Sequence, residues 1–286
     1  MKIAIIGAGN MGGAIARGLA RGTKVAPSDI SVSNPSQGKL VALKAEFPQM
    51  NVYSDNTQAA EGADLVIVAV KPGHVEEVLD AITFRKGTII VSLAAGVSLS
   101  DIAYSIDEIP DIPPILDAFS LDDDALESEE HFTIEHITHN FRLMPNIAIR
   151  NAESVNIFCC DPEVPKSVRD SVLEVFSELG KSFFVDEELM DAAMAVGSCA
   201  IAYFFKMIEA ATQAGVQLGL KYDIAKQMAA QACLGAAGIV LRENALPAAE
   251  ISKVCSPGGY TIKGINALEN HGFSRAVIAA ILASAK

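Results

Sequence analysis

The chain has 286 residues, half of them hydrophobic, which excludes a disordered polypeptide and allows one or two domains with a full core. Its formal charge of −13, from 22 basic and 35 acidic residues with no basic cluster, argues against a nucleic-acid partner. Cys159, Cys160, Cys199, Cys233 and Cys255 show no CxxC spacing and lie mostly among apolar neighbours, so they read as reduced thiols, with neither a disulfide framework nor a metal site.

The first residues, MKIAIIGAGNMGG, superficially resemble a secretory leader. Their glycine spacing and the lack of a convincing cleavage site argue otherwise, and the expected location is the cytoplasm. KIAII at 2–6 predicts a short strand, and Ile15 and Leu19 recur at helical spacing behind it. Gly7-Ala8-Gly9-Asn10-Met11-Gly12 therefore sits between strand and helix, the context in which GxGxxG binds a dinucleotide. Gly7 serves the tight turn, Gly9 the close approach of a pyrophosphate, and Gly12 the packing of helix on strand.

A second strand is expected over Asp29–Ser33, followed by Asn34 with no carboxylate nearby. An acid there would bond a free ribose 2′-hydroxyl and repel a 2′-phosphate, whereas Ser33, Asn34 and Ser36 can donate to that phosphate. NADP is expected, with NADPH preferred over NADH. Lys39 is better explained as a solvated helix lysine than as a further phosphate partner. Asn56 follows a short strand at 52–54 and points to the same crevice. The apolar runs 64–70 and 88–93 read as parallel strands covered on both faces. The turns that end them, VKP at 70–72 and AAG at 94–96, are expected to line the nicotinamide pocket.

Residues 107–140 carry eleven acidic residues and no lysine or arginine, which reads as a solvated insertion. His131, His136 and His139 fit no metal-binding spacing. Segments at 164–179, 187–215, 221–242, 247–254 and 260–285 have helical periodicity. The longest apolar run, Ala192 to Phe205, is too short to cross a bilayer and reads as a buried helix. The expected fold is an α/β Rossmann-type doubly wound, mostly parallel sheet at 1–155, followed by an all-α domain at 156–286. So few charged faces on the helices suggest burial against a second copy, as a homodimer or higher homo-oligomer.

In CSPGGYTIKGINALE, residues 255–269, Ile262, Ile265 and Leu268 predict a helix from Tyr260 or Thr261, with Ser-Pro-Gly-Gly immediately ahead. Unpaired amides at a helix start, approached through two glycines, make an anion cradle; the plainer reading is a flexible loop.

Taken together, IIGAGNMG at 5–12, AVKP at 69–72, SLAAG at 92–96, RLMPN at 142–146, AYFFKMIEAATQAGVQLGL at 202–220 and SPGGYTIKGINALE at 256–269 resemble the Δ1-pyrroline-5-carboxylate reductase family, collinearly over nearly the whole chain. The resemblance implies an NAD(P)H-dependent oxidoreductase acting on a C=N bond, reducing a cyclic imino acid to proline, with an interlocked helical dimerisation domain. It implies a substrate-carboxylate cradle of Ser256, Gly258, Gly259 and Thr261. Cofactor-side positions it implies are Gly7, Gly9, Asn10, Met11, Gly12, Ser33, Asn34, Ser36, Asn56, Val70, Lys71, Pro72, Ala95 and Asn146.

Two departures stand out. Gly197-Ser198-Cys199-Ala200-Ile201-Ala202-Tyr203 replaces the family's Ser-Gly-Ser-Gly-Pro-Ala-Tyr run, and the acidic stretch is longer than usual. A protonated imine is already electrophilic, so the protein has mainly to align two rings and supply a proton. Thr261 is the candidate donor, against a plain role in capping the last helix. Alternatives are a β-hydroxyacid-dehydrogenase-like enzyme using Lys206, and a non-catalytic NADP-binding regulatory protein. No membrane partner is expected.

Overall fold

The computed structural model describes residues 1–106 and 137–285. Most of the acidic stretch, with His131 and His136, lies outside the described residues; His139 opens a strand. The chain forms two compact units, Met1–Met190 and Asp191–Lys286.

The first unit is built on eight strands: β1 Ile3–Ile6, β2 Ile30–Ser33, β3 Asn51–Tyr53, β4 Leu65–Val68, β5 Ile89–Ser92, β6 His139–Met144, β7 Ser154–Cys160 and β8 Gly180–Phe184. They lie in the order 3-2-1-4-5-6-7-8, parallel except for the β6–β7 pair. Helices α1 Asn10–Arg21, α2 Gln37–Glu46, α3 Asn56–Ala60, α4 Val75–Asp80, α5 Leu99–Tyr104 and α6 Lys166–Phe176 complete it.

Side chains alternate across a strand, so each inner strand feeds two apolar layers. Ile3, Ile5, Leu65 and Ile67 join Ile15 and Leu19 of α1 and Leu40 and Leu43 of α2. Ala4, Ile6, Val66 and Val68 join Val75 and Leu79 of α4 and Ile102 of α5. Burial on both faces explains why these strands are continuous apolar runs.

The unit boundary differs from the one expected at 155/156. β7 and β8 extend the sheet, and α6 packs on it, with the Phe158 and Phe176 rings edge-on at 5.2 Å. Gly180 opens β8 at φ +141°, where a side chain would strike the Ser154 backbone. β8 is a half-polar edge strand, GKSFF, with Phe183 and Phe184 exposed, which is why its sequence carries so weak a strand signal.

The second unit is helical: after α7 Met190–Met194, a π-helical turn Ala195–Cys199 leads into α8 Ala200–Gln217, α9 Tyr222–Glu243, α10 Pro247–Val254, α11 Tyr260–Asn270 and α12 Phe273–Leu282. The single helix expected over 187–215 is thus interrupted in its hydrogen-bonding pattern at the departure Gly197-Ser198-Cys199. The one expected over 260–285 breaks at Gly272, which takes φ +73°. Gly215 lets α8 approach α9, since a methyl there would come within 2.8 Å of the Ala225 Cβ. Tyr203 Oη reaches Ser284 Oγ and the Ala280 carbonyl, tying α8 to the end of α12.

The run 192–205 is not a buried helix within one chain. Ala200 is buried, but Val196, Phe204 and Phe205 are more than half exposed. The continuous helical stretch Glu187–Gln217, and α9, are each long and apolar enough to cross a membrane by length and composition. Lys206, the charge that closes the 192–205 run, lies inside that longer helical stretch.

Candidate dinucleotide and carboxylate sites

The dinucleotide loop is assembled by β1, α1 and the strands beside β1. Gly7 takes φ +103°, and its N–H donates to the Ser33 carbonyl at 2.9 Å, so the loop is seamed to the end of β2. A Cβ on Gly7 would lie 2.7 Å from the Ala69 carbonyl oxygen, and one on Gly12 would lie 2.0 Å from the Gly7 carbonyl oxygen. Those two glycines are required by packing. Gly9 is different: a Cβ there meets nothing within 4 Å, and Gly9 is the N-cap of α1 with no side-chain cap. The first amides of α1 consequently face open space, a ready anion site at the positive end of a twelve-residue helix.

Asn10 is exposed and Met11 half-buried; together with Ala8, Gly9, Arg17, Lys39 and Arg150 they line a cavity of about 590 Å³. The guanidinium of Arg17 is held by Glu46 at 2.7 Å, and this hydrogen bond lowers the Glu46 carboxyl and raises the arginine. No carboxylate occupies 33–39, from the end of β2 into α2. That surface fits a 2′-phosphate without repulsion.

The residues expected to donate to that phosphate divide into two groups. Ser36 is exposed at the start of α2 and forms no side-chain cap; Lys39, read as a solvated helix lysine, is exposed three residues on. Ser33 is fully buried, with its Oγ donating to Asn56 Oδ1 at 2.7 Å, and Asn34 is 6% exposed, with its Oδ1 accepting the Ala8 N–H at 3.0 Å. Both of the latter are turned into the protein. Asn56 is the first residue of α3, which the Asp55 N-cap starts by accepting the Gln58 N–H at 2.8 Å.

The strand-end turns lie at the carboxyl ends of the parallel strands. Val70 is half-buried, Lys71 and Pro72 are exposed, and Ala95 is exposed beyond β5. Asn146 is buried and caps the turn Ile147–Asn151, its Oδ1 accepting the Ala148 N–H at 2.9 Å. Sequence reasoning missed the clasp at Glu187, whose Oε1 accepts from Arg142 Nη1 at 2.7 Å and from the Leu99 N–H at 2.8 Å. These partners are 45 and 88 residues away in sequence, and no local pattern joins them.

In the second unit, Gly259 is the N-cap of α11, without a side-chain cap; Gly258 takes φ +70°, and the Gly259 N–H closes a turn on the Ser256 carbonyl at 2.9 Å. The amides of Tyr260, Thr261 and Ile262 therefore start the helix with no intrahelical partner. Ser256 and Thr261 are exposed beside them. Thr261 is the second helical residue, not the cap, so its hydroxyl is not assigned to capping. Lys206 is exposed and pairs with Glu209 at 2.7 Å.

Comparison with known proteins places these features in context. Residues 187–286 match the family model described as pyrroline-5-carboxylate reductase dimerisation, and residues 2–96 that described as NADP oxidoreductase, coenzyme F420-dependent. The pyrroline-5-carboxylate reductase of Escherichia coli K12 is 34% identical over 283 residues, covering 98% of this chain and 94% of the relative. Pyrroline-5-carboxylate reductase 1 of Dictyostelium discoideum is 32% identical over 295 residues and 99% of this chain, which spans about half, 48%, of that relative's length. The crystal structure of Plasmodium falciparum pyrroline carboxylate reductase with NADP bound has the same fold, with a TM-score of 0.79 at 23% identity over 99% of this chain and 95% of that one.

Proposed function

The chain belongs to the pyrroline-5-carboxylate reductase family, and we propose on that premise that it reduces the cyclic imine Δ1-pyrroline-5-carboxylate to L-proline with NADPH. The observation that carries the reading is the pairing, in one chain, of two helix starts left open to anions: Gly9 ahead of α1 and Ser256–Gly259 ahead of α11. The first suits a pyrophosphate, and the second suits the substrate carboxylate.

Bound NADPH supplies the hydride delivered to the C=N carbon. The protein's part is binding, orientation and the proton. Gly7 and Gly12 hold the loop, and the amides after Gly9 receive the pyrophosphate. The turns at Val70–Pro72 and Ala95 line the nicotinamide side. The amides of α11, with Ser256, grip the carboxylate and so fix the ring's orientation. The Thr261 hydroxyl then donates to the lone pair of the neutral imine nitrogen, or to a water on it, drawing electron density from the C=N bond so that the nitrogen takes a proton as the carbon takes the hydride. No acid–base triad is required of the chain for this chemistry.

The active unit in this reading is a homodimer built on residues 187–286. Leu218, Leu241, Leu246 and Phe205 are more than half exposed in the single chain, a concentration of apolar surface that a second copy would cover. The same covering accounts for the spanning-type hydropathy of α8 and α9 without a membrane. The five unpaired thiols support a reducing, cytoplasmic setting.

The test is NADPH oxidation by purified protein with pyrroline-5-carboxylate, its six-membered homologue and small 3-hydroxy acids. Turnover confined to the cyclic imines supports the reading. Cofactor binding with no imine turnover, or turnover of the hydroxy acids instead, rejects it. Sedimentation should give a dimer or larger.

A further inference from the structure

Ser33 and Asn34 stand at the end of β2, where a residue that reads the ribose 2′-position is expected, yet both spend their polar atoms on the protein. Ser33 accepts the Gly7 N–H through its carbonyl at 2.9 Å and donates its hydroxyl to Asn56 at 2.7 Å. Asn34 accepts the Ala8 N–H on Oδ1 at 3.0 Å and donates Nδ2 to the Ser36 carbonyl at 3.2 Å, while its own N–H bonds the Tyr53 carbonyl at 3.2 Å. One buried carboxamide thus joins the glycine loop, which faces the pyrophosphate, to Ser36, the exposed N-cap of α2 in the loop that faces the 2′-position. Only a side chain that accepts and donates at once does both, which an amide does and a carboxylate or hydrocarbon does not.

We propose that Asn34 is a positioning residue for NADPH and NADH alike: it holds the Ala8–Gly9 amides in their anion-ready arrangement and sets the place of Ser36, and does not itself read the 2′-phosphate. The inference rests on the dinucleotide site of the reading above, not on the imine. A loop released from Asn34 has to be ordered again on binding, a cost that falls on both cofactors equally. Discrimination between them then belongs to the exposed start of α2.

Equilibrium binding of NADPH and of NADH, measured by titration calorimetry on the full-length protein without imine, tests it separately from the reductase reading. Asn34→Ala is expected to weaken both cofactors about tenfold and leave their ratio within about twofold of the parent, as loss of one buried hydrogen bond implies. Asn34→Ser stays polar and uncharged but is one carbon shorter than the side chain that bonds both Ala8 and Ser36. It should weaken NADPH and NADH by the same factor, no more than Asn34→Ala does, and leave their ratio within about twofold of the parent. Loss of NADPH affinity alone in Asn34→Ala would make Asn34 a direct reader and overturn the proposal, as would no change in either cofactor. If Asn34→Ala does not fold, Asn34→Ser still decides: NADPH weakened with NADH unchanged, or neither weakened, overturns it.

Discussion

Arg142 and Glu187 form a 2.7 Å ion pair in which the arginine side chain is only 8% exposed, at the point where the chain leaves the sheet unit. Glu187 Oε1 also receives the Leu99 N–H, so a single carboxylate fixes the start of α5, the interior of β6 and the segment after β8. Removing the negative charge strands a buried guanidinium whose Nε already has no partner among the described residues. Glu187→Gln should therefore lower unfolding free energy by about 1–3 kcal/mol, less than for a fully buried pair because Glu187 is a third exposed. A urea midpoint unchanged from the parent at equal slope would show that the clasp contributes nothing.

The two central glycines of the cofactor loop separate stability from binding. A methyl on Gly12 collides with the Gly7 carbonyl, so Gly12→Ala should cost about 2 kcal/mol or more and lower the melting temperature. A methyl on Gly9 touches no protein atom and enters the space in front of the α1 amides. Gly9→Ala should leave stability within about 0.5 kcal/mol and weaken NADPH about tenfold or more. Equal loss of stability in both variants would contradict this division.

These contrasts mark what sequence could and could not supply. β1, β4 and β5 were legible because strands buried on both faces cannot afford polar residues, and the glycine loop was legible because each glycine answers a local steric demand. β8 was not, since an edge strand with exposed Phe183 and Phe184 has no periodic signature. The inward turn of Ser33 and Asn34 depends on β2 lying in register with β1 and β3, a long-range fact. The π turn at Ala195–Cys199 likewise has no composition signal, although the unusual Gly197–Tyr203 run marked the place.

At the start of α11, the hydroxyl of Thr261 sits at the second helical position, one residue beyond the first helical amide. Thr261→Ala should reduce kcat/KM for pyrroline-5-carboxylate about a hundredfold, the size usual for a lost proton donor, while NADPH dissociation is unchanged. Thr261→Ser keeps the hydroxyl and should recover most of the rate. If the alanine variant turns over at the parental rate, the threonine has no part in the chemistry.

Alkaline pH should weaken the fold through the buried thiol of Cys159 in β7. Burial pushes the Cys159 thiol up to about 12 from an ordinary 9.0, and raises Cys160 as well. Between those two values the folded state keeps a proton on Cys159 that the unfolded chain releases, so unfolding releases protons and stability falls as pH rises from about 9. Cys159→Ala removes that contribution, and its unfolding free energy should decline less steeply than the parent's from about pH 9 upward. Alkylation follows the same geometry: Cys159, 1% exposed, should react only as fast as the fold opens. Parallel pH profiles for parent and Cys159→Ala would show that this thiol does not link protonation to folding.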